Sequence, residues 1–135
     1  MHGLNSSVVD SFALIAFFEQ EPHFHKVEHL LSEAKKGNAN IFLSIINWGE
    51  IYYSILRARG ESRAEQALIF IDELPIQIME ADRDLVYNAA KLKSKYAVSY
   101  ADCFTAALAK RHNCPLLTGD PEFKKLQNEV KISWL

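Results

Sequence analysis

Short apolar runs alternate with longer stretches of helical periodicity along this chain, and that alternation constrains the fold more than any other feature. Leu4–Val9, which ends in the β-branched pair Val8-Val9, and the short segments Ile41–Leu43, Ile76–Met79, Pro115–Leu117 and Val130–Trp134 read as strands. Helical segments lie between them. Ser11–Glu19 stops before Pro22, and Pro22–Lys36 carries Phe24, Val27, Leu30, Leu31 and Ala34 at helical spacing before Gly37. Ser44 caps a helix running to about Arg59, which Gly60 ends. Glu61–Leu74 places Ala64, Ala67, Leu68 and Ile71 on one side and is broken by Pro75. Asp82 caps a helix to about Tyr96, Ser99 caps another through His112, and Pro121–Leu126 forms a short last helix. Strands separated by helices build βαβ units. The expected class is therefore α/β: a Rossmann-like parallel sheet of about five strands, flanked by helices on both faces and joined by right-handed crossovers. In such sheets the functional crevice lies outside the carboxyl ends of the strands.

Composition removes the competing classes. A length of 135 residues predicts a single domain over 1–135. An apolar fraction of 49% with 24% charged residues excludes disorder, collagen-like repeats and coiled coil as the main architecture. No apolar run reaches the roughly 18–20 residues of a membrane span, and the start (MHGLNSSVVD) lacks the basic and apolar regions of a secretory signal. Cys103 and Cys114 form no CxxC and are too few for a disulfide scaffold, so the expectation is a cytoplasmic protein with reduced thiols. A net charge of −2 neither demands nor excludes a nucleic-acid partner, since a local patch matters more than the total.

Two carboxylates follow strands directly, and two more sit on helices that could lean over the same sheet edge. Asp10 ends the first strand and Asp120 follows the strand in LLTGDPEF. Glu50 lies on the helix after the second strand, and Asp102 in the first turn of its own helix. Like charges gathered in a partly desolvated cleft raise one another's pKa, a conflict that a divalent cation removes. Oxygen-only ligation favours a hard ion, Mg²⁺ or Mn²⁺, over Zn²⁺. Such an ion lowers the pKa of a water and steadies the charge of a phosphoryl displacement, so the pattern suits phosphodiester cleavage. Each acid also has a purely structural reading. Asp10 and Asp120 make good helix caps, the latter before Pro121; Ser99-x-x-Asp102 resembles a capping box; and Glu50 lies opposite the apolar stripe Ile45, Trp48, Tyr52, Ile55. Spacing alone leaves both readings open.

The segments VVDSFALIAFF, NWGEIYYSILR, VSYADCFTAALAKRHNCPLLTGDPEF and VKISWL together resemble a PIN domain of the VapC type, the toxin ribonucleases of type II toxin–antitoxin pairs. Ser99–Phe123 carries the most specific part of the likeness, whereas Glu61–Lys95 matches only in its pattern of elements. The resemblance implies a PIN-like fold, with Asp10, Glu50, Asp102 and Asp120 as an acidic cluster holding Mg²⁺ or Mn²⁺. Asp10 and Asp102 would be the most direct ligands, while Glu50 and Asp120 would bind the ion or its water and help activate the nucleophile. Ser11 matches a hydroxyl following the first acid, and Asn47 and Thr118 match supporting polar positions. It further implies an RNA substrate (a structured tRNA or rRNA), a VapB-type antitoxin whose Arg or Lys enters the cleft, a homodimer, and no membrane association.

Other features have weaker claims. His25-x-x-Glu28-His29 has the inverted zincin spacing but no evident third ligand. Cys103 reads as a small core residue rather than a nucleophile. Lys91, Lys93 and Lys95 with Lys110 and Arg111, or Arg57, Arg59, Lys124 and Lys125, could rim a phosphate-binding surface, although basic helix residues are commonly just solvated. Crowding of Phe12, Phe17, Phe18, Trp48, Tyr52 and Tyr53 on the first and third helices exceeds what a core needs, and suits a partner helix or a second copy. Two alternatives stand beside the nuclease: an RNA-binding PIN scaffold without catalysis, and a phosphorylation-driven receiver domain. The receiver requires a late strand-end Lys, which LLTGDPEF lacks.

Overall fold

The computed structural model describes residues 5–22 and 25–135; Leu4 and Phe24, expected in the first strand and second helix, lie outside them. The order is β1 (Asn5–Val9), α1 (Ser11–Phe18), α2 (His25–Lys35), β2 (Ala39–Ser44), α3 (Ile45–Arg59), α4 (Glu61–Asp72), β3 (Gln77–Met79), α5 (Arg83–Lys95), α6 (Tyr100–His112) and β4 (Leu116–Thr118). A 3-10 helix (Pro121–Leu126) and β5 (Ile132–Trp134) complete it. All five strands pair in parallel, in the order β3-β2-β1-β4-β5. A receiver domain has the order 2-1-3-4-5, so the topology does not fit that alternative.

Strand alternation divides the core between the two faces. Val8, Phe42 and Leu116 point into the layer under α5 and α6, with Leu85, Leu92 and Leu108. Their neighbours Val9, Ile41, Leu43 and Leu117 point into the layer with α1 to α4, against Leu14, Leu31, Ile51 and Ile71. Period-two side-chain geometry thus buries both faces of β2, β4 and the end of β1, where the sequence is most apolar.

Several boundaries differ from expectation for local reasons. β4 runs one residue later than the expected Pro115–Leu117: Pro115 has no N–H to donate, and its carbonyl instead accepts from Val8 N–H at 2.9 Å. That shift puts Thr118 inside the strand, fully buried. The described part of the second helix begins at His25, with Pro22 in a turn, and α4 ends at Asp72 rather than Leu74. Gly60 adopts φ +91°, ending α3 and starting α4 with no linker, a backbone state that side chains disfavour.

The chain leaves β1 toward β2 and β3 and later returns to β1's other side as β4. The strand order therefore reverses between β1 and β4, and the crevice at such a reversal is where open α/β sheets bind ligands. Leu116 beneath this point is fully buried. Leu116→Ala is expected to cost about 2–5 kcal/mol by cavity formation, read as a lower urea midpoint at unchanged slope. A loss below about 1 kcal/mol would show that the β4 layer is not the packed core described.

Candidate active site

Asp10 stands at the reversal point. It leaves β1 in an extended conformation and caps α1, its Oδ1 accepting from Ala13 N–H at 2.9 Å. Its Oδ2 accepts from the Thr118 hydroxyl at the end of β4, at 2.6 Å. Thr118 Oγ1 in turn accepts from Asp120 N–H at 2.9 Å, so one hydroxyl links the two acids. Asp120 caps the 3-10 helix, accepting from Glu122 N–H at 3.0 Å. Gly119 between them lies under the Phe12 ring: a Cβ there would stand 2.5 Å from Phe12 Cε1, so any larger residue must displace that ring.

The other two acids arrive on helices. Ser44 caps α3, and Asn47, fully buried one turn on, donates from Nδ2 to Glu50 Oε1 at 3.1 Å. The Ser11 hydroxyl donates to the same oxygen at 2.5 Å. The expected apolar stripe on α3 is corrected: Asn47, Ile51 and Ile55 are buried, whereas Ile45, Trp48 and Tyr52 are half-buried. This rotation leaves Glu50 half-buried and facing α1 instead of solvent. Ser99 caps α6 by accepting from Asp102 N–H at 3.1 Å. One turn later Thr105, buried, donates to Asn47 Oδ1 at 2.7 Å and joins α6 to α3. Thr105 was not singled out from the sequence; a lone hydroxyl in the apolar run ADCFTAALA is the signal that marks it.

Asp10 and Asp102 carry raised pKa values. Asp10 is only 2% exposed, and its pKa is pushed up to about 7, first by burial and then by the charges of Asp102 and Asp120, against the lowering hydrogen bonds from Thr118 and Ala13. Asp102 is pushed up to about 6, again chiefly by burial, with Asp120, Glu50 and Glu122 adding repulsion and the Ser99 hydroxyl opposing it. These are the mutual effects expected of acids facing one low-dielectric cleft. The structural readings hold alongside: Asp10 and Asp120 are caps, and the first bond of the Ser99–Asp102 box is made. Among the described residues, no three His, Cys, Asp or Glu side chains are already grouped at cation-binding distance. The four side chains offer only oxygen donors, the ligand chemistry that suits a hard divalent cation.

The other candidates lie elsewhere. His25 and Glu28 are exposed on α2, 3.6 Å apart. Cys103 is fully buried, and its thiol is pushed up by burial, as expected of a core residue. Among the described residues no helix is long and apolar enough to cross a membrane.

A five-stranded parallel sheet carrying carboxylates at its topological reversal defines a class of α/β domains with an acidic crevice. The PIN domain family model matches residues 7–129, and this chain belongs to that family. No curated protein matches it significantly. Among solved structures, the fold is shared with the DNA-bound VapBC of Salmonella typhimurium: 16% identity, TM-score 0.77, 97% of this chain and 98% of that one. Rickettsia felis VapBC2, bound to a DNA fragment from their promoter, gives 16% identity, TM-score 0.76, and 96% and 98% coverage. The Sarcin-Ricin loop cleaving toxin VapC20 of Mycobacterium tuberculosis gives 16%, 0.71, and 87% and 92%.

Raised pKa values make stability depend on pH with a definite sign. Between its ordinary value near 4 and its folded value near 7, Asp10 binds more protons folded than unfolded, and Asp102 does so up to about 6. Stability from these groups is complete below that window and is lost as pH rises through it. In chelator, the melting temperature is expected to fall between pH 5 and 7, and Asp10→Asn to flatten the decline. A melting temperature that rises through that window in the wild type and the variant alike would contradict the burial assigned to Asp10.

Proposed function

We propose that this chain is a divalent-cation-dependent endoribonuclease, the toxin of a type II toxin–antitoxin pair, acting on a structured RNA such as tRNA or rRNA in the cytoplasm. The observation that supports this reading is that Asp10, at the β1/β4 reversal of a PIN fold, and Asp102 both have raised pKa values, with Asp120 acting on both and Glu50 on Asp102. Asp10 and Asp102 would hold Mg²⁺ or Mn²⁺ most directly, and Glu50 and Asp120 would complete the oxygen set. The bound ion would supply Lewis-acid polarisation of the scissile phosphate and neutralise the cluster that otherwise repels a polyanion.

The chain's own groups have separable tasks. Thr118 fixes the Asp10 carboxylate through Oδ2 and holds Asp120 N–H, setting the spacing between two acids. Ser11 and Asn47 hold Glu50 Oε1, with Thr105 orienting the Asn47 amide. Glu50 or Asp120, both at the cleft, would accept the proton of the attacking water. The hydrogen-bonding neighbours act by orientation, and their loss would misplace a carboxylate without removing it.

Support for partners comes from surface apolar groups. Phe17, Phe18 and Phe70 meet at ring separations of 5.3 to 5.7 Å. With Glu19, Glu28 and Arg63 they line a concave surface of about 470 Å³, which suits an amphipathic antitoxin helix. Tyr53 and Leu56, exposed on α3, suit contact with a second copy in a homodimer. The structurally similar Rickettsia felis and Salmonella typhimurium proteins are VapBC complexes, which supports a VapB-type partner; such a partner would carry an Arg or Lys into the acids.

The test is cleavage. Purified protein with Mg²⁺ or Mn²⁺ is expected to cut RNA and chelator to stop it, while Asp10→Asn and Asp102→Asn each reduce cleavage by roughly 10²–10⁴-fold and abolish growth arrest on expression with the fold retained by circular dichroism. Full toxicity of either variant, or RNA binding without cation-dependent cleavage, would overturn the reading.

A further inference from the structure

A second charged feature lies away from the acids. The groove between α5 and α6, about 290 Å³ in volume, is lined by Asn88, Lys91, Lys95, Lys110, Arg111 and Glu129. Asn88, Lys91 and Lys95 recur at helical spacing on one side of α5, and Lys110 and Arg111 end α6. Lys93, which the sequence grouped with them, turns away to donate to the Val98 carbonyl at 2.7 Å.

Two of the four cations in this groove are paired within the protein, and two are not. Arg111 is paired with Asp82 at 2.7 and 3.0 Å, and Lys110 with Glu129 at 2.6 Å. Glu129 also accepts from the Tyr96 hydroxyl at 2.7 Å. Lys91 lies 5.2 Å over the Tyr87 ring. Among the described residues neither Lys91 nor Lys95 has a carboxylate within ion-pair distance; Lys95 acts on Glu129 only through space. Two lysines one helical turn apart repel each other, and they do so on a chain whose net charge is −2. An external anion would relieve that repulsion. Because the cations extend along an open groove and none is enclosed, an extended polyanion fits better than a small ion.

The groove is connected to the acid cluster by a rigid element. Helix α6 carries Asp102 in its first turn and Lys110 in its last, roughly 12 Å apart by the rise of an α-helix. We propose that the α5–α6 groove is a phosphate track for the substrate RNA: Lys91 and Lys95 hold backbone phosphates several nucleotides from the scissile bond, with Lys110 and Arg111 as the far wall. The assignment rests on reading the acid cluster as the RNA-cleaving centre. Backbone contacts of this kind add affinity and register without reading bases.

The test uses full-length protein, a fluorescent single-stranded RNA and its uncleavable 2′-O-methyl form. For Lys91→Ala/Lys95→Ala, the slope of log affinity against log salt for the uncleavable RNA should become shallower by about 1.4, from about 0.7 per lost phosphate contact. The KM for cleavable RNA should rise several-fold at unchanged kcat, and Lys91→Arg/Lys95→Arg should restore both. An unchanged slope, with wild-type cleavage intact, overturns the track and leaves the nuclease reading standing. A changed slope in a protein that cuts no RNA with either cation overturns the nuclease reading and with it the track as a substrate site, leaving an RNA-binding groove. Unaltered RNA binding with a shift in oligomeric state on gel filtration would make the groove a contact between copies and overturn the proposal.

Discussion

The hydrogen bond from the Thr118 hydroxyl to Asp10 Oδ2 joins the carboxyl ends of β1 and β4, the two strands between which the sheet reverses direction. Everything at the crevice depends on it. It holds a carboxyl group, nearly without solvent, at the carboxyl end of β1. It also places Asp120 by accepting that residue's N–H through the same oxygen. Sheet topology, through this bond, becomes the spacing between two acids that lie far apart in sequence.

The helices supply the rest by capping. Ser44 starts α3 at the end of β2, which brings Asn47 and then Glu50 over the crevice, and Ser99 starts α6 with Asp102 in its first turn. Thr105 and Asn47 connect the two helices within the core. Four acids are thus held by local rules of helix initiation and by buried hydrogen bonds, at an electrostatic cost visible in the raised pKa values of Asp10 and Asp102. Raised pKa values of this kind are commoner at functional sites than elsewhere.

Much of this was legible in the sequence, for physical reasons. Period-two and helical patterns located the five strands and the helices between them, and the strand-end rule pointed to Asp10 and Asp120. Resemblance added their grouping with Glu50 and Asp102, and the supporting roles of Ser11, Asn47 and Thr118, whose hydrogen bonds to Glu50 and Asp10 the structure contains. The shift of β4 past Pro115 was missed because it depends on pairing with β1, which no local pattern encodes. The rotation of α3, which turns Glu50 toward Ser11, was missed because Asn47 is a polar residue in a core position and breaks the apolar stripe. Thr105 was missed for the same reason. Of the basic residues, four share a groove while Lys93, on the same helix, does not: side-chain direction decided this, and composition could not.

The central claim is that the four carboxylates close on a shared hard cation. Anomalous diffraction at the manganese edge from crystals soaked in Mn²⁺ tests it most directly. The account predicts a peak at the β1/β4 reversal, ligated by Asp10 and Asp102, with Glu50 swung off the Ser11 hydroxyl. Ordered manganese only elsewhere on the molecule, with Glu50 still bonded to Ser11 and Asn47, would contradict it.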